Sequence, residues 1–348
     1  MLRCIVRGIV CGLGLQVRGA DRGVRSGRPA GLSHGQRAVV VLLSVIFAAC
    51  GDSPAPTPDT FPVPAWAKVA PEQIAEAKKH GVPVAFENDL GMRFVLIPAG
   101  TFLMGSPEDE EGRRANETQH EVLISRPFYM SITEVTNRQY CAFDPDHRSH
   151  TWMSEHLDFE ADGSHQPAVA LSQESARRFA VWLGSEGRDA PRSYRLPTEA
   201  EWERACRAGT SGRFFHGGDL ESLPRYANFS DAESLIGPML GTLTDGHPAT
   251  APVGSYLPNV WGLYDMLGNV WEYCEDGWIS GRADGDYDLS MTRDPVTPRQ
   301  SRSCAVRGGS WNSRSTRGLP RCALRGGAPA DGGSGFDVGF RLVSPLQE

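Results

Sequence analysis

Glycine and proline interrupt this chain so often that long helices have little room to form. There are 39 Gly and 25 Pro among 348 residues. Glycine loses more conformational freedom in a helix than other residues do, and proline removes a backbone donor. The sequence therefore predicts long loops, short strands and modest helix content. Hydrophobic residues at 40% and charged residues at 22% fit a globular protein of this kind.

The charge of the chain argues against a nucleic-acid partner. The net charge is -7 and the pI is near 5.8. Domains that bind nucleic acid usually carry a basic stripe with interleaved aromatic residues. The sequence contains no such stripe, so we expect no nucleic-acid partner.

The stretch GQRAVVVLLSVIFAACGDSPAP indicates export. Arg37 precedes an apolar run from Ala38 to Ala49, which has the length of a signal-peptide core and is too short to span a bilayer. The run ends at Cys50 and resembles the acylation site of bacterial lipoproteins, although Phe47 stands where leucine is usual. We predict lipid on Cys50 and a chain anchored in the cell envelope, at the outer membrane or the periplasmic face. The alternative is a signal cleaved without acylation or left uncleaved.

Three segments follow from this interpretation. Residues 1–49 are a leader and signal peptide, with a Gly- and Arg-rich beginning that suggests a translation start further downstream. Residues 50–87 comprise the lipidated cysteine, a Pro-rich extended tether and a short helix with Pro71 in its first turn and Gly81 just past its end. Residues 88–345 are predicted to form one compact domain.

Local signals place the regular elements of this domain. MRFVLIPAGTFLMGS predicts two strands and a turn, and HEVLISRPFYMS predicts further strands. Thr136 with Gln139, and Thr198 with Glu201, form the spacing of a capping box, so each pair predicts a helix start. SQESARRFAVWLGSEG has a helical apolar face, and Gly209 marks the end of the last helix. The prediction is an α+β domain with few regular elements.

Four stretches in order resemble the sulfatase-modifying-factor family, also called the formylglycine-generating enzyme family. They are GMRFVLIPAGTFLMGS, YRLPTEAEWERACRAGT, NVWGLYDMLGNVWEYCEDGW and VRGGSW, followed by DVGFRLV. The resemblance covers roughly residues 88–345 and implies a single loop-rich domain related to C-type lectins. Fold alone does not fix function, because such folds carry several activities.

A calcium site is predicted around GLYDMLGNVWEYCED. Carboxylates beside a glycine-containing bend suit a hard cation, and the alternative is an ordinary turn. The resemblance implies one calcium site formed by Asp265, the Gly268 carbonyl, the Val270 carbonyl and Glu272. It implies a second site formed by Asn228, the Phe229 carbonyl, Asp245 and the His247 carbonyl.

The resemblance also locates a reactive cysteine pair that this chain lacks. In formylglycine-generating members, two cysteines after the Gly-Gly-Ser-aromatic motif bind copper(I), a metal that prefers thiolates. The corresponding positions here are Ser313 and Gly318, or Arg317 in place of Gly318. Ser310 and Trp311 keep the rim of the pocket. We therefore expect calcium but no copper.

The remaining cysteines, histidines and arginines are less specific. Five cysteines follow Cys50, an odd number that leaves at least one unpaired. The resemblance implies a structural role for Cys322, opposite a helix position that corresponds to Ala180. Two groups stay open between a solvated loop and a site: a histidine group that could bind a metal, and an arginine group that could border a groove for an anionic partner. They are His147, His150, His156 and His165, and Arg314, Arg317, Arg321 and Arg325.

Two functions from different classes are compatible with these residues. One is a catalytically silent lipoprotein that presents a calcium-stabilised surface to a protein or peptide partner in the cell envelope. The other is an oxidase of the formylglycine-generating or related non-haem metal type that acts on cysteine or thiol substrates. The missing cysteine pair favours the first.

Overall fold

The computed structural model describes residues 61–150, 152–186, 192–235, 242–278, 289–299, 302–313, 318–331 and 335–346. These residues belong to one unit that spans Pro56–Glu348. Cys50 and the predicted signal peptide lie outside the described residues, as do Arg314 and Arg317. The predicted lipidation therefore stays a prediction.

Short helices and strands alternate with long loops, as the glycine and proline content predicts. The helices are α1 (Pro71–His80), α2 (Asn137–Tyr140), α3 (Trp152–Leu157), α4 (Gln173–Glu186) and α5 (Glu199–Arg207), with a 3-10 helix at Leu220–Arg225. The strands are β1 (Ala85–Glu87), β2 (Arg93–Ile97), β3 (Gly100–Met104), β4 (His120–Ile124), β5 (Phe128–Ser131), β6 (Trp271–Gly277), β7 (Ser303–Arg307), β8 (Arg325–Pro329), β9 (Val338–Gly339) and β10 (Val343–Pro345). No helix in the described ranges is long and apolar enough to cross a membrane.

The strands form two four-stranded sheets and one hairpin. The first sheet has the order β1-β2-β5-β10 and is antiparallel throughout. The second has the order β8-β7-β6-β9, in which only β6 and β9 run parallel among its described pairs. Strands β3 and β4 pair as a separate hairpin. This architecture confirms the predicted α+β class.

The capping signals place the helix starts correctly. Thr198 accepts a hydrogen bond from the Glu201 N–H, and the Glu201 carboxylate accepts one from the Thr198 N–H, so α5 begins as predicted. Its end differs slightly, because Ala208 and not Gly209 is the left-handed capping residue, with φ 45°. Helix α1 begins at Pro71, and its Gln73 side chain donates to the Leu96 carbonyl of β2.

Helix α5 lies at the centre of the domain, and all its residues are buried. Trp202 donates to Glu272 of β6. Glu203 accepts from the Gly105 N–H beyond β3 and forms an ion pair with Arg307 of β7. One helix thus joins the hairpin to the second sheet through buried polar contacts.

The positions of Arg321 and Arg325 correct one expectation that was drawn from the sequence. Arg321 and Arg325 belong neither to a solvated loop nor to the border of a groove, because both are fully buried. Arg321 pairs with Glu117 at 2.7 Å, and Arg325 pairs with Glu199 at 2.6 Å. Their partners lie far away in sequence, so composition alone gave no sign of the pairing.

Candidate functional site

The segment 306–322, which would carry the reactive cysteines, leaves β7 through a glycine turn. Gly308 has φ 95° and Gly309 has φ 81°, conformations that favour glycine. A side chain at Gly308 would begin 3.2 Å from the Trp202 ring. The turn therefore packs closely on α5 and fixes the backbone that follows it.

Ser313 is fully buried, and its hydroxyl closes the turn. Its Oγ accepts a 2.8 Å hydrogen bond from the Ser310 N–H. The Ser310 hydroxyl donates to Asp337 at 2.9 Å. Trp311 is buried beside these groups and meets the Phe159 ring edge to face, with 5.3 Å between ring centroids. The predicted rim residues and Ser313 are thus brought together in one small turn.

Gly318 occupies a position that disfavours any side chain. Its φ is 81°, and a Cβ there would lie 3.3 Å from Nη2 of Arg114. A cysteine at this position would therefore adopt a strained backbone and displace a guanidinium.

Cys322 faces Cys206 of α5, which corrects the expected pairing with position 180. The Cys206 thiol hydrogen-bonds to Cys322 and lowers the pKa of Cys322, while burial raises the pKa of Cys206 well above its usual range. Both are free thiols in this structure. The Cys322 N–H also donates to the Arg213 carbonyl, just beyond α5. The partner of Cys322 therefore lies on α5, whereas the family resemblance implied a position on α4.

The first predicted calcium loop is a tight bend. Asp265 and Asn269 have φ 55° and 57°, and a side chain at Gly268 would overlap the Asn228 carbonyl. The Asp265 carboxylate is buried, and its Oδ2 accepts from the Gly254 N–H at 2.5 Å. Its Oδ1 has no hydrogen-bond partner among the described residues.

Glu134 is the carboxylate that the sequence did not reveal. It lies just after β5, is 1% exposed, and its Oε1 accepts from Asn269 at 2.9 Å. Its Oε2 lacks a partner in the described part of the chain. Burial, followed by the charge of Asp265, raises the pKa of Glu134 well above its usual range, and burial raises the pKa of Asp265 to about 6. Two adjacent buried carboxylates of this kind need a shared proton or a cation.

Glu272 already has a positively charged partner. Its two carboxylate oxygens accept from Nε and Nη2 of Arg341, each at 2.7 Å. Trp202 donates to it as well, at 2.8 Å. Arg341 therefore balances the charge of Glu272, and these hydrogen bonds fix the end of the loop.

The residues of the second predicted calcium site also come together. The Asp245 carboxylate accepts hydrogen bonds from the backbone N–H groups of Phe229 and His247, at 2.8 and 3.0 Å. Burial raises the pKa of Asp245 to about 7. Asn228 donates to Asn269 of the first loop, and its own Oδ1 is buried with no partner among the residues described.

The histidines do not converge. His147 packs on Tyr140, His150 pairs with Glu155, and His165 lines a cleft together with Gly254. Within the described ranges there is no group of three or more His, Cys, Asp or Glu side chains that could hold a metal. A cation at Glu134 and Asp265 would therefore need carbonyl or amide oxygens as its other ligands.

Comparison with known proteins gives matches that cover most of this chain. The sulfatase-modifying factor enzyme 1-like domain matches residues 79–346. Formylglycine-generating enzyme from Streptomyces coelicolor is 32% identical over 293 residues, which cover 72% of this chain and 88% of that protein. The Bos taurus protein named inactive C-alpha-formylglycine-generating enzyme 2 is 26% identical over 303 residues, covering 74% and 89%.

A solved structure agrees with the sequence matches. PvdO from Pseudomonas aeruginosa superposes with a TM-score of 0.60 at 28% identity, covering 75% of this chain and 98% of that one. The match over residues 79–346 takes in every helix and strand from β1 to β10. The chain belongs to the sulfatase-modifying factor enzyme 1-like domain family.

Proposed function

We propose that this chain is a catalytically silent member of its family, a calcium-stabilised module that binds a protein or peptide partner in the cell envelope. The observation that carries the proposal is the state of positions 313 and 318. The Ser313 hydroxyl is buried as a hydrogen-bond acceptor within its own turn, and Gly318 has no side chain.

The chemistry of these groups supports the loss of catalysis. A serine hydroxyl stays protonated near neutral pH and is a poor ligand for copper(I), which prefers thiolates. Cys322 does not replace the pair, because its sulfur contacts Cys206 and because Pro320 restricts the backbone two residues before it. Ser310 and Trp311 are buried in the same turn and are not an exposed rim, so a peptide would be bound by other residues of the surface, and binding is separable from turnover.

Calcium binding is supported by buried oxygens that lack donors. Glu134 Oε2 and Asp265 Oδ1 are two such atoms at the first loop, and Asn228 Oδ1 is a third near the second. A buried carboxylate without a partner costs free energy, whereas a hard cation takes six to eight oxygen ligands. The first ion would be held by Asp265, Glu134 and the Gly268 and Val270 carbonyls, where Glu134 takes the place of the predicted Glu272, which is already paired with Arg341. The second would be held by Asp245, Asn228 and the Phe229 and His247 carbonyls.

Removal of calcium should lower the melting temperature of the purified protein. A ligand that binds only the native state adds about 2.7 kcal/mol to the free energy of unfolding at a hundredfold excess over its Kd. Calorimetric titration should give two calcium ions for the parent and one for Asp265→Asn. The matched control is Glu87→Gln, which changes an exposed carboxylate and should retain both ions. A melting curve that excess chelator leaves unchanged would refute the calcium proposal.

Acylation of Cys50 would anchor the module, and the apolar run before it supports this part of the proposal. Cys50→Ser should release the protein into the soluble fraction or leave it unprocessed, because the serine cannot carry the thioether-linked lipid. Mass spectrometry of the parent should detect the acyl chains. Lipid-free parent protein, with the variant still in the membrane fraction, would contradict the anchor.

The second candidate is an oxidase that acts on cysteine or thiol substrates. The observation that favours it is the 32% identity to the Streptomyces coelicolor enzyme over most of both chains. Such identity supports a shared substrate-binding surface, while the chemistry depends on the residues at positions 313 and 318. Aldehyde formation on a cysteine peptide separates the two candidates.

A further inference from the structure

A cleft of about 460 Å³ lies beside Glu134 and shares no lining residue with the described parts of segment 306–322. We call it the polar cleft, and the lining residues used below are Trp66, Arg93, Glu134, Arg138 and Gly254. Its volume is in the range of small-molecule sites in proteins.

The floor of the polar cleft is acidic. Glu134 reaches it with a carboxylate that is 1% exposed and whose Oε2 has no partner among the described residues. Gly254 also lines the cleft, and its N–H holds the Asp265 carboxylate. A ligand in the cleft would therefore meet the Glu134–Asp265 pair from one side.

The wall of the polar cleft carries two arginines, and Glu87, which also lines the cleft, neutralises one of them. Arg93 is held by Glu87 at 2.7 Å and lies over the Trp66 ring, 5.2 Å from its centroid. Arg138 is exposed, and its guanidinium forms no ion pair within the described ranges. A guanidinium binds a carboxylate through two parallel hydrogen bonds, and the Trp66 ring offers an apolar surface beside it.

We propose that the polar cleft binds a small carboxylate-bearing ligand through Arg138, and that a divalent cation at Glu134 and Asp265 strengthens this binding. The second part rests on the proposed calcium site. Without a cation, a shared proton still leaves one negative charge on the Glu134–Asp265 pair, which repels an anionic ligand, and a bound divalent cation cancels that charge. The two ligands should then raise each other's affinity by the same factor, as linkage requires.

Ligand-observed NMR titration of the full chain tests this directly. The probe is benzoate, and the matched control is benzamide, which has the same shape without the charge. We expect benzoate to bind at least about fivefold more tightly with calcium than with chelator, at the low end of typical coupling between sites. Benzamide should bind more weakly and show no calcium dependence.

Two variants separate the contributions. Arg138→Gln should weaken benzoate about tenfold, the loss expected for a charge-assisted hydrogen bond, while the response of the melting temperature to calcium persists. Glu134→Gln should remove the calcium dependence of benzoate binding, because it takes away a carboxylate ligand of the cation. Arg148→Gln removes an exposed arginine outside the cleft and should change neither.

The outcomes are distinct from those of the calcium proposal. Equal binding of benzoate and benzamide, or an unchanged affinity in Arg138→Gln, would overturn the carboxylate site. If calcium does not bind at all, the coupling is refuted together with the calcium site, whereas weaker benzoate binding in Arg138→Gln would still support the carboxylate site. Calcium binding without any effect on benzoate would overturn the coupling alone.

Discussion

Replacement of Arg341 by methionine should lower the free energy of unfolding by about 3–5 kcal/mol, because it leaves a buried charge without its partner. Arg341 is fully buried and donates two hydrogen bonds to Glu272. It also donates to the Ser131 and Tyr264 carbonyls, which would lose their donor. Urea unfolding followed by circular dichroism measures the loss, with calcium held constant because a bound ion shifts the same equilibrium.

The matched control for this loss is Arg93→Met. Arg93 forms the same type of ion pair with Glu87, but their side chains are 46% and 43% exposed. Exposed pairs contribute roughly 0–1 kcal/mol, since water screens both charges. Similar losses in the two variants would contradict the explanation by burial, as would a loss below about 1 kcal/mol for Arg341→Met.

The parts of the fold that the sequence predicted are those with local causes. Three helices begin at signals that each lie within a single turn: Pro71, Thr136 with Gln139, and Thr198 with Glu201. Their starts can therefore be located without tertiary information. The strands of MRFVLIPAGTFLMGS are bounded by Pro98 and Gly100, which are again local signals. The α+β class followed from these local signals, and the family resemblance added a single loop-rich domain related to C-type lectins.

The parts that the sequence did not predict depend on long-range pairing. Arg325 is buried because Glu199 lies opposite it, although 126 residues separate them in the chain. Cys322 contacts Cys206 of α5, because the turn that precedes Cys322 packs on this helix. Glu134 carries no local signal at all, since an acidic residue just after a strand is usually exposed. Only the fold shows that it is buried beside Asp265.

The second large effect that we expect is a complete loss of formylglycine formation in this chain. Conversion requires a thiolate pair to hold copper(I), and neither Ser313 nor Gly318 supplies one. The structure also predicts that the two changes are not simply reversible. Gly318→Cys would place a side chain at φ 81°, 3.3 Å from Arg114, at a cost of about 1–3 kcal/mol. Ser313→Cys would replace the hydroxyl that accepts from the Ser310 N–H with a larger sulfur that is a weaker acceptor.

The double variant Ser313→Cys, Gly318→Cys therefore tests whether the pocket geometry has survived. Copper(I) binding by this variant, with none by the parent, would show that the scaffold is intact and that only the ligands have been lost. If both proteins bind copper(I) equally, the metal is held elsewhere, and the assignment of these two positions is wrong.

The most direct test of catalytic silence is an aldehyde assay on a peptide with the Cys-x-Pro-x-Arg motif of sulfatases. The full chain is loaded with copper, incubated with the peptide in air and analysed by mass spectrometry, and the Streptomyces coelicolor enzyme serves as the positive control. The account predicts no aldehyde above the sample without protein. Aldehyde that forms with this chain and disappears when copper is chelated would contradict it.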